Sequence, residues 1–400
     1  MVIKLKKFNT ACQFMLVSLI LCISPLRMFN MYNMDNSYIN LILNAALIVL
    51  ALLVIICNLP LLMKPFVFEA MVVFVVLLHF LLFFENREYI RFTFDDYWIY
   101  SIVLFLCVYI MDFKTLEKTL FFSASVVLLF DFLLIQSPLY LRMITEYKYG
   151  GVGAVFSYSV LFPGIVFMHM SKKIKILIVP SLVAVYLIGI YGSNRMALLS
   201  YIIYLLYSIF LENGKLTVKK ILMILAFLIT SILLLWNLKS IAVWLINMLG
   251  KENYTPRILS LLSSNSFFSN SARNDITSFF ISKALSFHGL IGYGVNGDRV
   301  INTLYNHQYA HNIIIQILIE FGIIGGSILI ILMIGMVVNV VKRKTVYNNI
   351  LPVIFFTQIF ALFISGTFWT SNFFWMFIAV CLSVIFPIRK NDPDLMSVTV

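Results

Sequence analysis

Asn312–Val340 reads NIIIQILIEFGIIGGSILIILMIGMVVNV, an apolar run with a single charge, Glu320. A transmembrane helix needs roughly 20 predominantly apolar residues, so this run is long enough to cross a bilayer. The rest of the chain repeats the pattern. Eleven further candidates are Thr10–Phe29, Tyr38–Asn58, Pro65–Phe84, Asp96–Met111, Leu116–Ile135, Val152–Met170, Ile174–Ile190, Met196–Leu211, Val218–Trp236, Leu351–Ser365 and Asn372–Pro387. Composition agrees. The set AVILMFWYC makes up 62% of the 400 residues and DEKR 12%, against about 45–50% and about 25% in soluble domains. The expected class is all-α: a polytopic integral membrane protein of about twelve helices with one large periplasmic loop. The expected division is an N-terminal bundle over 1–236, the loop over 237–311, and C-terminal helices with a short tail over 312–400.

The chain carries 29 Lys and Arg against 17 Asp and Glu, a formal +12. With a cytoplasmic N-terminus, the inner segments hold 17 of these cations and the outer segments 12. The inner loops are short, so positive charge is denser inside, as the positive-inside rule requires. Both termini are then cytoplasmic. Fifteen of the inner cations are lysine, whereas eight of the outer ones are arginine: Arg27, Arg87, Arg91, Arg142, Arg195, Arg257, Arg273 and Arg299. Arginine's planar fork suits bidentate contact with phosphate or carboxylate. An anionic partner at the outer face is therefore expected, against the simpler reading of arginines snorkelling to headgroups.

The N-terminus has the basic and apolar regions of a signal peptide, with Lys4, Lys6 and Lys7 before Phe14–Leu26. Cys22–Leu26 (CISPL) lacks a small-x-small cleavage site, so a retained first span is expected. All five cysteines lie in apolar runs and no pair has metal-ligand spacing, which argues against a disulfide framework or a zinc site.

Asn237 to His311 is 75 residues, far beyond the roughly 12–15 of an ordinary connection. It opens with Ile241–Leu249 (IAVWLINML), too short to span and suited to lying in the interface with Trp244 as anchor. A Ser/Asn-rich stretch, Ser263–Asp275, follows. Then Gly289, Gly292, Gly294 and Gly297 punctuate HGLIGYGVNG, where backbone could approach a ligand closely or simply turn. His288, His307 and His311 lie here, whereas His79 and His169 read as structural. The loop ends in YAHNIIIQILIEFGIIGG, Tyr309–Gly326.

His311, Asn312, Gly322 and Gly325 meet the pattern His-Asn, nine residues, Gly, two residues, Gly. At the end of the largest outer loop, this resembles the signature of the O-antigen ligase and O-antigen polymerase superfamily of bacterial envelope glycosyltransferases. Arg273 (SARND) ahead of Gly292-Tyr293-Gly294 resembles the family's loop arginine before a G-x-G turn, although Ile276 and Thr277 stand where an aromatic often follows. Gly192–Arg195 (GSNR) resembles a second arginine element, with Asn194 as an additional residue. The similarity covers about Tyr191–Leu332. It implies an enzyme of the bacterial inner membrane, facing the periplasm and acting on a glycan carried by undecaprenyl diphosphate. A chain-length regulator protein is an implied partner. No cofactor, metal or nucleic acid is implied.

The residues fit this chemistry in their own right. A diphosphate leaving group develops charge that fixed cations stabilise in a low-dielectric site. Arg195 and Arg273 are the candidates, and no Asp cluster suggests a metal instead. A sugar hydroxyl attacking the anomeric carbon is helped by a base, for which His311 is the candidate. Asn312 would orient substrate or imidazole. Arg299, Arg257, Tyr293, Gly292 and Gly294 complete the expected substrate contacts. Among other acids, Glu69 and Asp131 lie near helix ends, and Asp95-Asp96 reads as a solvated cap. Glu320 falls on the helix face opposite His311 and is expected to tie helices together.

The motif does not separate a polymerase, which joins repeat units on the carrier, from a ligase, which transfers the glycan to lipid A core. A flippase for the lipid-linked oligosaccharide fits the spans and arginines. Transporters, however, usually show internal duplication and broken polar helices. An adaptor role would leave His311 and the arginines unexplained.

Overall fold

The computed structural model describes residues 2–33, 37–93, 99–136, 237–249, 271–305, 308–343, 345–363 and 366–388, with six isolated helical positions between Ile203 and Ile229. Apolar residues dominate the chain and few turn signals interrupt them, so the described residues are mostly helix and none is in a strand. The helices are α1 (Val2–Asn33), α2 (Ser37–Leu82), α3 (Arg87–Thr93), α4 (Ile99–Ile110), α5 (Phe113–Gln136), α6 (Leu238–Leu249), α7 (Ser271–Ala284), α8 (Phe287–Ile291), α9 (Gly297–Ile301), α10 (Ile313–Arg343), α11 (Ile350–Ile354) and α12 (Asn372–Ile385). Four described stretches are long and apolar enough to cross a membrane: Lys6–Ile23, Leu41–Leu82, Ile313–Arg343 and Val346–Phe363. The chain is an all-α membrane protein.

Four expected spans take a different form. Tyr38–Asn58 and Pro65–Phe84 were expected as two helices; α2 runs through both for 46 residues, including Pro60 and Pro65. The intervening LPLLMK holds no Gly, Asn or Asp to reverse the chain, and Lys64 instead donates to the Pro387 carbonyl at 3.0 Å. Leu351–Ser365 is α11 followed by a π turn at Phe355–Ile359 and a 3-10 turn at Phe360–Phe363. The Asn312–Val340 run is broken within α10, where Gly322 adopts φ 74°, ψ 167°. Val152–Met170 and Ile174–Ile190 lie outside the described residues, as do most of Met196–Leu211 and Val218–Trp236.

The chain clusters into two units, Met1–Ser123 with Ala272–Val400, and Ala124–Ser271. In the first, Leu16, Val17 and Ile20 of α1, Leu104 and Phe105 of α4, and Met376, Ala379 and Cys381 of α12 are fully enclosed. Several polar side chains within this apolar packing are paired, as burial away from water favours, although Ser18 Oγ and both Glu69 carboxyl oxygens are buried without a partner among the described residues. Asn9 and Asn58 exchange amide hydrogen bonds of 2.8 and 2.7 Å between α1 and α2. Ser101 donates to Asn372 Oδ1 at 3.1 Å between α4 and α12. At the far end of α10, Arg343 donates to the Val384 and Ile385 carbonyls, closing α10 onto α12. In the second unit, α6 realises the short helix expected at Ile241–Leu249, with Trp244 59% exposed. All five cysteines are free thiols.

Candidate functional site

The break at Gly322 creates the site. A helix interrupted there leaves the carbonyls of its preceding turn without their usual partners. The Gly292-Tyr293-Gly294 turn supplies them: Tyr293 N–H donates to Ile319 O at 2.8 Å and Gly294 N–H to Glu320 O at 2.9 Å. Contact of this kind is possible only with glycine on both sides. Gly292 has φ +99°, and a Cβ there would stand 2.4 Å from the Gly322 nitrogen. A Cβ on Gly322 would stand 2.4 Å from Leu290 O and the Ile291 carbonyl carbon. Two glycines singled out by spacing thus touch each other, backbone to backbone. Gly325 of the same motif has ordinary room, its nearest neighbour being Phe321 Cβ at 3.6 Å.

The other side of the turn rests on residues some two hundred positions earlier. Asn86 Nδ2 donates to the carbonyls of Tyr293 (2.7 Å) and Val295 (3.0 Å). Val295 N–H donates to His79 Nδ1 at 3.0 Å, a structural role as expected for that histidine. Asn296 Nδ2 donates to Thr93 Oγ1 at 3.0 Å. Tyr293 OH and Ser286 Oγ lie 3.0 Å apart, and the Tyr293 ring stacks on His288.

His311 sits at the head of α10 in the left-handed region, φ 54°, rare for a residue with a side chain. Its neighbours are fixed on both sides. Before it, Ala310 N–H donates to Asp298 Oδ2 at 3.0 Å, while Asp298 Oδ1 accepts from Arg299 N–H at 2.9 Å. After it, Asn312 Oδ1 accepts from Ile314 N–H (2.9 Å) and Ile315 N–H (3.2 Å), and Nδ2 donates to Phe363 O (2.7 Å). Asn312 is thus the N-cap of α10 and its tie to the 3-10 turn at Phe360–Phe363. The Tyr309 and His311 rings lie 4.1 Å apart, and the Arg299 guanidinium is 5.8 Å from the Tyr309 ring. His311 Nε2 is 3.5 Å from Gln308 Oε1, at the edge of hydrogen bonding. Asp298 has no exposed surface, and its burial raises its carboxyl above the usual aspartate value. The Ala310 and Arg299 amides and the Arg299 charge act in the opposite direction.

Glu320 does tie elements together. Its Oε1 accepts from Gln316 Nε2 at 2.9 Å, and its Oε2 from the Trp369 indole at 2.7 Å. Gln316 also donates to Thr367 Oγ1 at 2.8 Å.

Of the expected site residues, His311, Asn312 and Arg299 lie at the head of α10, whereas Gly292, Tyr293 and Gly294 dock against Ile319–Gly322, roughly two to three turns further along the helix. Arg273 lies in the first turn of α7, one turn before Ile276. Ile276, Phe280 and Ala284 of that helix pack with Ala310 and Ile319, so α7 lies against both sides of the site. Arg195 and Arg257 lie outside the described residues. Asp298, Asn86 and Thr93 were not singled out in the sequence. An acid in a glycine-rich loop looks like solvent-facing polarity, and only the packing reveals that it is enclosed.

No family model, no curated protein and no solved structure matches the chain.

Proposed function

We propose that the protein is a glycosyltransferase that polymerises a lipid-linked glycan, an O-antigen polymerase of the bacterial inner membrane with its site on the periplasmic side. The growing chain on undecaprenyl diphosphate is the donor, and a second lipid-linked repeat unit is the acceptor. An acceptor hydroxyl attacks the donor's anomeric carbon, the anomeric carbon–oxygen bond to diphosphate breaks, and undecaprenyl diphosphate leaves. His311 takes the hydroxyl proton. Arg273 and Arg195 stabilise the charge developing on the diphosphate. Arg299, Arg257 and the Gly292–Gly294 turn contact the substrate. Asn312 acts by holding His311.

The carrying observation is a base at the head of a long apolar helix, with a cation-bearing loop packed beside it and the glycine turn of that loop docked on the same helix at Ile319–Gly322. His311 lies at that head in a left-handed backbone conformation, its ring 4.1 Å from that of Tyr309, with the Arg299 guanidinium 5.8 Å from the Tyr309 ring. Such strain is retained where surrounding contacts over-determine it, commonly at functional sites.

Deleting the gene tests the reading in the cell. Lipopolysaccharide capped with a single repeat unit is the expected outcome. Loss of all attached O-antigen, with polymer accumulating on the carrier, would assign the ligase reaction instead.

A further inference from the structure

Outside the long apolar helices, the segment from α7 to α9 is packed the wrong way round for a loop bathed in water. Its polar Asn296, Asp298 and Asn302 are enclosed, whereas Leu285, Phe287 and Ile291 are 73%, 79% and 74% exposed. A run of exposed large apolar side chains marks an interaction surface.

The length of α10 fixes the depth of this surface. Beyond the break, residues 323–343 form a helix about 31 Å long at roughly 1.5 Å per residue, which matches a hydrocarbon core of about 30 Å. It ends in Lys342 and Arg343, the kind of cations that stop at a membrane boundary. With residues 323–343 taken as the span, Gly322 stands at the opposite boundary. The last turn of α8 abuts Gly322 directly, through Leu290 O and the Ile291 carbonyl. Two neighbouring apolar surfaces continue into it. Ile324 and Ile328 of α10 are 62% and 54% exposed. At the end of α2, Leu82 and Phe84 are 67% and 73% exposed, and Phe83 packs against Gly294. Cations fringe the patch at headgroup level. The Arg87 guanidinium lies 4.3 Å from the Phe84 ring centroid, and Lys283 lies over Phe279 at 5.6 Å. Both are suited to snorkelling.

We propose that α8, with Leu285 before it, is an interfacial foot whose apolar side chains insert among the acyl chains of the bilayer. The inference rests on the membrane-spanning helices and not on the reaction proposed above. The foot fixes the Gly292–Gly294 turn at the bilayer surface.

The test is a nitroxide label at Phe287→Cys in the full-length protein, reconstituted in phosphatidylcholine–phosphatidylglycerol vesicles. Cys57, the least buried native cysteine, is replaced by serine. Power saturation compares collisions with oxygen, which concentrates in lipid, and with a water-soluble nickel chelate. A label at Leu332, 62% exposed on α10, is the lipid reference. The proposal expects an oxygen-to-nickel ratio above one at 287, as at 332. Nickel in excess would mean a water-facing loop and overturns it. Exclusion of both reagents would mean a protein partner or second copy covers the patch, and overturns it too. Ile291→Cys, equally exposed, is read in the same way if the first label perturbs the fold.

Discussion

At the scale of single residues, Asp298 is enclosed and both its oxygens are engaged, so its removal is costly. Its two oxygens hold the amides of Arg299 and Ala310 with no exposed surface. Asp298→Ala leaves the Ala310 N–H buried without a partner, at a cost of about 1–3 kcal/mol, while the Arg299 N–H keeps the Asn296 carbonyl at 3.1 Å; the loss is measurable as a lower melting temperature in detergent. Its titration gives a second prediction. Burial raises the folded-state carboxyl above the usual 3.8, so the folded chain binds the proton more tightly than the unfolded one. The associated stabilisation is complete below 3.8 and is lost as pH rises through the raised folded value. The stability of the wild type minus that of Asp298→Asn should fall across that window. A difference that rises with pH would show that the amides and Arg299 outweigh burial.

His311 and Asn312 show what was legible at this scale. An asparagine directly before an apolar run is an N-cap signal, and the structure uses Asn312 that way. The reading of a base at His311 came from its position at the end of the loop. Its left-handed backbone and its tether through Ala310 to Asp298 could not be read, because they depend on a loop folded back twelve residues. Asn86 and Thr93 were invisible for the same reason, their partners lying about two hundred residues away.

The element that matters most is α10. Gly322 and Gly325 are equivalent in the sequence pattern but not in the structure, which allows a discriminating test. Gly322→Ala and Gly292→Ala each force a side chain into a positive φ and against backbone at 2.4 Å. The conformational strain alone costs about 1–3 kcal/mol. Gly325→Ala meets nothing closer than 3.6 Å and should gain up to about 1 kcal/mol of helix propensity. Thermal melting of the three variants in detergent checks this. Equal behaviour of Gly322→Ala and Gly325→Ala would contradict the backbone docking described above. Hydropathy placed α10 well, since Asn312–Val340 is uniformly apolar, but a glycine among isoleucines does not announce whether it bends the helix or merely thins it.

For the molecule as a whole, composition identified an all-α membrane protein because 62% apolar residues leave no other comfortable class. The division into spans was less legible. Six residues between Asn58 and Pro65 were read as a turn because two apolar windows flanked them, and α2 passes straight through. Prolines can be carried within a long helix, so hydropathy windows alone do not separate one helix from two. The apolar 351–365 run likewise carries no signal for its π and 3-10 turns. The functional reading rests on the small polar remainder, of which His311 and Arg299 are gathered at one site and Arg273 lies on a helix packed against it.

The direct test of that reading is chain growth by the purified protein in vesicles supplied with undecaprenyl-diphosphate-linked repeat units and EDTA. Wild-type protein should lengthen the glycan, while His311→Ala and Arg273→Ala, inserted to the same level, should lose polymer altogether. No growth by the wild type, or full-length polymer from either variant, would contradict the account.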